Sequence, residues 1–233
     1  MPRRMTREEF QTPQGRSRAW RSLMFDDHGL LRKVYDNTHR ISDKMWRTFQ
    51  PSPADLEKWA AKGIRTVINL RGLRREDEQE GFYFLEEDTC QRLGLELINF
   101  RAYSREAPTK EFVLGIKELF ERIDYPAILH CKSGADRAGI ASVMYLFLYE
   151  GRPLDEALEQ LSFKYGHVKQ GKTGILDYFF DLYKEAAATQ GVEPSEEHFL
   201  HWVSTEYDQE SVRPNFKPTA LGSFITETVL RRE

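Results

Sequence analysis

The sequence predicts an α/β fold with a central, mostly parallel sheet flanked by helices on both faces. Three short runs rich in apolar residues, 64–70, 95–100 and 127–130, read as strands. Each is separated from the next by a stretch with apolar residues at helical spacing, the alternation from which parallel sheets are built. The chain has 233 residues, 40% of them hydrophobic, with 15 Phe and 4 Trp. That is enough for one compact domain with additions, or at most two small ones.

Taken in order, residues 1–29 carry Arg3, Arg4, Arg7, Arg16, Arg18 and Arg21 among Thr, Gln and Pro. The composition need not pack, and the segment is expected to be a mobile basic arm. It is either simply solvated or drawn to an anionic membrane surface or phosphorylated substrate, with Trp20, Leu23, Met24 and Phe25 able to dock. Residues 32–37 and 39–41 read as an edge hairpin. Gln50-Pro51-Ser52-Pro53 breaks the chain before a helix over 54–62 that Gly63 closes. After the strand 64–70, residues 71–80 are dense in charge, either as a solvated loop or with Arg71 and Arg74 holding an anion.

A helix over 82–93 stops at Gly94, and the strand 95–100 follows. Thr109 caps a helix reaching Ile123, with Phe112, Ile116, Leu119, Phe120 and Ile123 on one stripe. The strand 127–130 leads through a loop into a helix over 138–149 that is apolar on nearly every side, hence buried. Gly151-Arg152-Pro153 ends it, and Pro153 suits the first position of a helix over 154–165. A helix over 175–188 turns Ile175, Tyr178, Phe179, Leu182 and Tyr183 inward. Pro194-Ser195-Glu196-Glu197 opens another, and residues 223–230 form a last short one. His198 and His201 lie at i, i+3 on the former, a spacing open to metal ligation or, with no further ligands at hand, to surface packing.

The chemistry sits between the third strand and the buried helix, in His130-Cys131-Lys132-Ser133-Gly134-Ala135-Asp136-Arg137-Ala138-Gly139. Strand, glycine-containing loop and helix N-terminus make consecutive backbone N–H groups converge on an anion, and the helix dipole adds positive potential there. Cys131 begins the loop and Arg137 ends it, so both face one tetrahedral oxyanion. The same dipoles and Arg137 should pull the Cys131 thiol below the ordinary value of about 8.5. Arg137 offers a planar fork matched to two phosphate oxygens. A buried, inert cysteine beside a capping loop would have no need of the arginine.

The spacing Cys131-x5-Arg137, with His130 before the cysteine, Gly134 three residues after it and Gly139 two after the arginine, resembles the signature of the cysteine-dependent protein tyrosine phosphatase superfamily. The stretch 30–190 is similar to its dual-specificity branch, leaving 1–29 as a basic arm and 191–233 as a helical extension without a counterpart. A rhodanese-like sulfur-transfer loop is the competing catalytic reading. The resemblance implies phosphomonoester hydrolysis through a phosphocysteine on Cys131, without metal or cofactor. It implies substrate contacts from His130, Lys132, Ser133, Gly134 and Ala135, with Arg71 at the rim and Lys169 and Lys172 in the 166–174 loop. Lys132 is more similar to lipid- and inositol-directed members than to tyrosine-directed ones.

Two departures matter. The loop 101–108, where such enzymes commonly carry an aspartic general acid, holds no Asp, leaving Asp136 as the candidate acid and Glu106 as the alternate. The Asp136-Arg137 pair resembles that of myotubularin-type lipid phosphatases. A phosphate dianion beside Asp136 should help it retain a proton, unless it simply pairs with a nearby arginine. Ala138 stands where a Ser or Thr usually bonds the cysteine sulfur, which keeps a weakly active or purely phosphate-binding protein in view. The substrate expected is a phosphoprotein or a phosphorylated lipid, inositol or sugar.

A net charge of −3 argues against nucleic acid. Two cysteines, Cys90 and Cys131, do not make a disulfide scaffold and fit a reducing compartment. With no run near the 18 or so apolar residues of a membrane span and no secretory leader pattern, a cytoplasmic protein is expected, peripheral at a membrane if the basic arm binds one.

Overall fold

The computed structural model describes residues 4–27, 29, 36–74 and 78–219. The chain forms two compact units, one from 1–101 with 124–134 and the other from 102–123 with 135–233. The first holds every strand among the described residues: β1 (Arg4–Thr6), β2 (His39–Arg40), β3 (Met45–Thr48), β4 (Thr66–Asn69), β5 (Glu78–Glu80), β6 (Glu96–Asn99) and β7 (Ala127–His130). The main sheet has the order β2-β3-β7-β4-β6, with β2 antiparallel at one edge and the other pairings parallel. The α/β class and the central, mostly parallel sheet are those read from the sequence. In the register, His130 at the end of the middle strand lies between Thr48 and Asn69, so the loop that follows leaves the carboxyl end of a parallel sheet.

Strand β3 is the element the sequence pattern hid. Arg47 interrupts its apolar run yet is completely buried, and the hairpin at the edge joins β2 to β3. The strand expected over 32–37 lies, but for its last two residues, outside the described residues.

The N-terminal segment overturns the expectation of a mobile arm. Thr6 and Glu9 form a reciprocal capping box that starts helix α1 (Arg7–Gln11), and Thr12 caps α2 (Pro13–Arg21) with Pro13 at its first position. Phe10, Ala19 and Leu23 are buried with Phe82, Phe84 and Leu85. Three of the six arginines that suggested an arm, Arg7, Arg16 and Arg18, are paired within the fold. Arg7 and Arg16 meet Asp88 at 2.8 and 2.9 Å, Arg7 also meets Glu87, and Arg18 meets Glu9. Nothing in this arrangement supports a membrane contact through the segment.

Helix α3 (Pro53–Ala61) begins in the predicted break, where Ser52 and Asp55 cap one another. Helix α4 (Gly81–Leu93) closes at Gly94, whose φ of +69° is the left-handed value a glycine adopts freely. Leu56, Trp59 and Cys90 of these helices pack with Val67 and Ile128 of the sheet. Burial pushes the Cys90 thiol well up, which disfavours its thiolate.

The second unit is helical: α5 (Lys110–Arg122), α6 (Asp136–Met144) continuing into a wider turn at Tyr145–Tyr149, α7 (Leu154–Leu158), α8 (Ile175–Gln190), α9 (Glu196–Thr205) and α10 (Gln209–Asn215). Thr109 caps α5 as expected, accepting the Phe112 N–H. The helix expected over 154–165 ends at Leu158 and is followed by a tight turn at Phe163–Tyr165, closed by Gly166 at φ +83°. Phe179, Tyr183, Phe199, Trp202 and Tyr207 form an aromatic cluster with ring separations of 4.8 to 6.2 Å. His198 bonds Tyr183 and Gln190 rather than standing ready for a metal. Helix α10 was not expected, and the one expected over 223–230 lies outside the described residues.

Candidate active site

The loop after β7 is shaped by what holds its carbonyl groups. The Gln50 N–H donates to the carbonyl of Lys132 at 3.2 Å, Asn37 Nδ2 to that of Ser133 at 2.9 Å, and Arg47 Nη2 to that of Gly134 at 2.8 Å. A planar trans peptide points its C=O and the following N–H in opposite directions. Pulling three successive carbonyls outward therefore turns the N–H groups of Ser133, Gly134 and Ala135 to the other side, the concave arrangement that suits an anion. Gly134 is needed twice over. Its φ is +73°, and a Cβ there would lie 2.9 Å from the Thr48 carbonyl carbon.

Behind Cys131 runs a buried polar chain. His130 Nε2 lies 2.6 Å from Glu86 Oε1, Gln50 Nε2 donates to Glu86 Oε2 at 2.9 Å, and Arg71 Nη1 donates both to Gln50 Oε1 at 3.0 Å and to Asp27 Oδ2 at 2.9 Å. Arg71 also stacks 4.0 Å over the Phe82 ring. Burial opposes its charge, but Asp27, by charge and hydrogen bond, holds its pKa above the ordinary value, and the guanidinium and Cys131 interact electrostatically. So Arg71, expected at the rim as a substrate contact, is a buried cation beside the strand that leads to Cys131, with which it interacts electrostatically.

At the other end of the loop, Ala135 precedes α6 and its carbonyl accepts the Gly139 N–H at 2.8 Å. Asp136 is buried, with Oδ1 2.7 Å from His167 Nδ1, and His167 Nε2 is 2.6 Å from Asp177 Oδ2. Burial alone would lower the His167 pKa, but the hydrogen bonds and charges of Asp136 and Asp177 outweigh it and raise the value from 6.5 to about 9. That direction favours the imidazolium, whose two N–H groups would donate to Asp136 and Asp177. The sequence leaves Asp136 open to a general-acid role or to a simple pairing with a nearby arginine, and the structure adds a histidine partner. His167 lies 31 residues away in the 166–174 loop, and no spacing in the sequence marks it.

Of the remaining candidates, Lys132 and Ser133 are half-buried, Glu106 is exposed, and Ala138 is buried in α6. Lys169, expected to approach the site, is exposed and paired with Asp181 at 3.2 Å. Glu86, Gln50, Asp27, Asn37 and Arg47 were not singled out from the sequence, since each is a polar residue of ordinary surroundings until the fold buries it.

The model of the family described as DSP-PTPase phosphatase fused to NAD+ kinase matches residues 31–173, well over half of the chain. The chain belongs to that family. The phosphatase signature from His130 to Arg137 lies inside the matched region. No match was found among curated proteins. Among solved structures, the chain is similar to a mutant form of Tk-PTP, with 20% identity over 63% of this chain and 96% of that one at a TM-score of 0.47. It is also similar to PTPMT1, with 17% identity over 66% and 98% at 0.47, and to TpbA of P. aeruginosa, with 14% identity over 78% and 91% at 0.46.

Proposed function

We propose that the protein hydrolyses phosphomonoesters through a phosphocysteine on Cys131. The observation that carries this is the triple restraint on the Lys132, Ser133 and Gly134 carbonyls, which leaves three preorganised N–H donors for the equatorial oxygens of a phosphoryl group. Cys131 Sγ attacks phosphorus, the ester P–O bond breaks, and the leaving oxygen takes a proton from Asp136. Water then attacks the phosphocysteine, returning its proton to Asp136 and releasing phosphate and the thiolate. Arg137 matches the developing charge with its fork of donors. The backbone of Lys132, Ser133, Gly134 and Ala135 and the His130 end of the strand shape the binding site, and Arg71 and Lys169 add positive charge. The substrates that fit are phosphoproteins and phosphorylated lipids, inositols or sugars, and no metal or cofactor enters the steps.

Hydrolysis of p-nitrophenyl phosphate tests the reading. Cys131→Ser should remove turnover to background while still binding orthovanadate or phosphate, and Arg137→Lys should lose at least about 10²-fold because an ammonium cannot replace the fork. Undiminished turnover in Cys131→Ser would reject the mechanism. A panel of phosphopeptides, phosphoinositides and sugar phosphates would then define the substrate.

A further inference from the structure

We propose that His167 is the proton store of the reaction: its Nδ1–H recharges Asp136, and Asp177 on its far nitrogen keeps the imidazole charged. The inference rests on the phosphatase reading above and deepens it by naming where the acid's proton comes from.

A general acid must hold a proton at the working pH, yet Asp136 lies against an imidazolium, which favours the carboxylate. The 2.7 Å contact resolves the conflict. In the resting pair the proton is on His167. A phosphate dianion in the loop disfavours a carboxylate at the head of α6, and the proton moves along the hydrogen bond to Asp136 Oδ1. Asp136 then gives it to the departing ester oxygen as the S–P bond forms and the P–O bond breaks. In the second half, water loses a proton to Asp136 as it attacks phosphorus, and the proton returns to His167. Protons balance over the cycle, and no further reactant is required.

The groups facing His167 are Asp136 from the start of α6 and Asp177 from the first turn of α8, both buried. Lys169 of the same loop pairs with Asp181, and Lys164 of the preceding turn lies over the Tyr165 ring. Two carboxylates around one buried imidazole is more charge than packing α8 against a loop requires. A glutamine would satisfy Asp136 with a neutral donor. Histidine adds a transferable proton.

The experiment compares p-nitrophenyl phosphate, whose leaving group departs without help, with phenyl phosphate, whose leaving group needs a proton. His167→Gln keeps a hydrogen-bond donor toward Asp136 but has no proton to give. It should lose on the order of 10²-fold in kcat on phenyl phosphate and only a few-fold on p-nitrophenyl phosphate. The alkaline limb of the kcat profile should move to lower pH. Asp177→Asn leaves His167 and Asp136 in place, lowers the charge that holds the imidazolium, and should shift the same limb by a smaller amount. Alkylation of Cys131 by iodoacetamide at the wild-type rate shows that the variants keep the loop intact. Equal losses on both esters, or an unmoved alkaline limb in both variants, would overturn the proton store and leave the phosphatase reading standing. A wild-type protein that hydrolyses neither ester would overturn both.

Discussion

Each half of the loop is backed by a buried polar cluster, and the two clusters are built differently. Behind Cys131, Asp27, Arg71, Gln50, Glu86 and His130 form a chain whose central cation is an arginine. Behind Asp136, a histidine lies between two aspartates. A guanidinium keeps its charge at every pH a protein survives, whereas an imidazole with a pKa near 9 gains and loses its proton within reach of neutrality. The difference teaches a division of labour. On the proposed mechanism, the side of Cys131 needs a constant field and a fixed geometry, and the side of Asp136 needs a proton that can leave.

The largest expected effect breaks the constant side. Arg71→Met removes the guanidinium paired with the fully buried Asp27, and should cost about 3–5 kcal/mol in denaturant unfolding. Adding Asp27→Leu should recover a substantial part, since the uncompensated charge is what destabilises. A loss below about 1 kcal/mol in the single variant would mean that water reaches the pair, and that the chain behind Cys131 is no fixed scaffold.

That chain also marks the limit of sequence reading. The strands β4, β6 and β7, the break before α3, the cap at Thr109 and the Cys-x5-Arg loop were all legible, because apolar period, capping residues and that spacing are local signals. Strand β3 was not, because its buried Arg47 looks like a surface residue until the Gly134 carbonyl is seen to receive it. The N-terminal segment misled by composition. Six arginines outweighed a capping box at Thr6 and Glu9 and a Thr12-Pro13 helix start, although those caps are the more specific signals. His167 and Asp177 reach Asp136 only through tertiary folding, and one sequence holds no trace of that pairing.

The titrating side can be separated from the constant side by pH. A folded-state pKa raised from 6.5 to about 9 means that the His167 contribution is complete below about pH 6.5 and declines as pH rises through 9. The full swing is on the order of 3 kcal/mol. Unfolding free energy should therefore fall between pH 6.5 and 9.5 in the wild type and stay flatter in His167→Gln. Parallel curves for the two proteins would remove His167 from the account.

A smaller effect tests whether the loop's geometry depends on its close contact with β3. Gly134→Ala combines a positive φ with a Cβ 2.9 Å from the Thr48 backbone, and should destabilise by about 1–3 kcal/mol and depress turnover. Gly151→Ala has a similar φ of +65° with open space around it, so only the conformational penalty of about 1 kcal/mol applies and turnover should be unchanged. Equal effects at the two glycines would show that contact with Thr48 contributes nothing to the loop's shape.

The smallest expected effect concerns Lys169, which shares a loop with His167 but not its surroundings. Its ammonium and the Asp181 carboxylate are both more than half exposed, and pairs of that kind contribute between nothing and about 1 kcal/mol. Lys169→Ala should change unfolding free energy by less than about 0.5 kcal/mol. Its proposed role in substrate binding is a separate question, because the ammonium must leave Asp181 to meet a phosphate. A pair so exposed separates readily, and salt weakens it further. If Lys169 steers the phosphate only by its charge, KM for p-nitrophenyl phosphate should rise about twofold in Lys169→Ala at low salt, with kcat unchanged, and the difference should fade as salt is added. A tenfold rise that persists at high salt would instead show a direct contact, and would place this lysine with the loop amides. No change at any ionic strength would remove it from the binding site and leave it as a surface partner of Asp181.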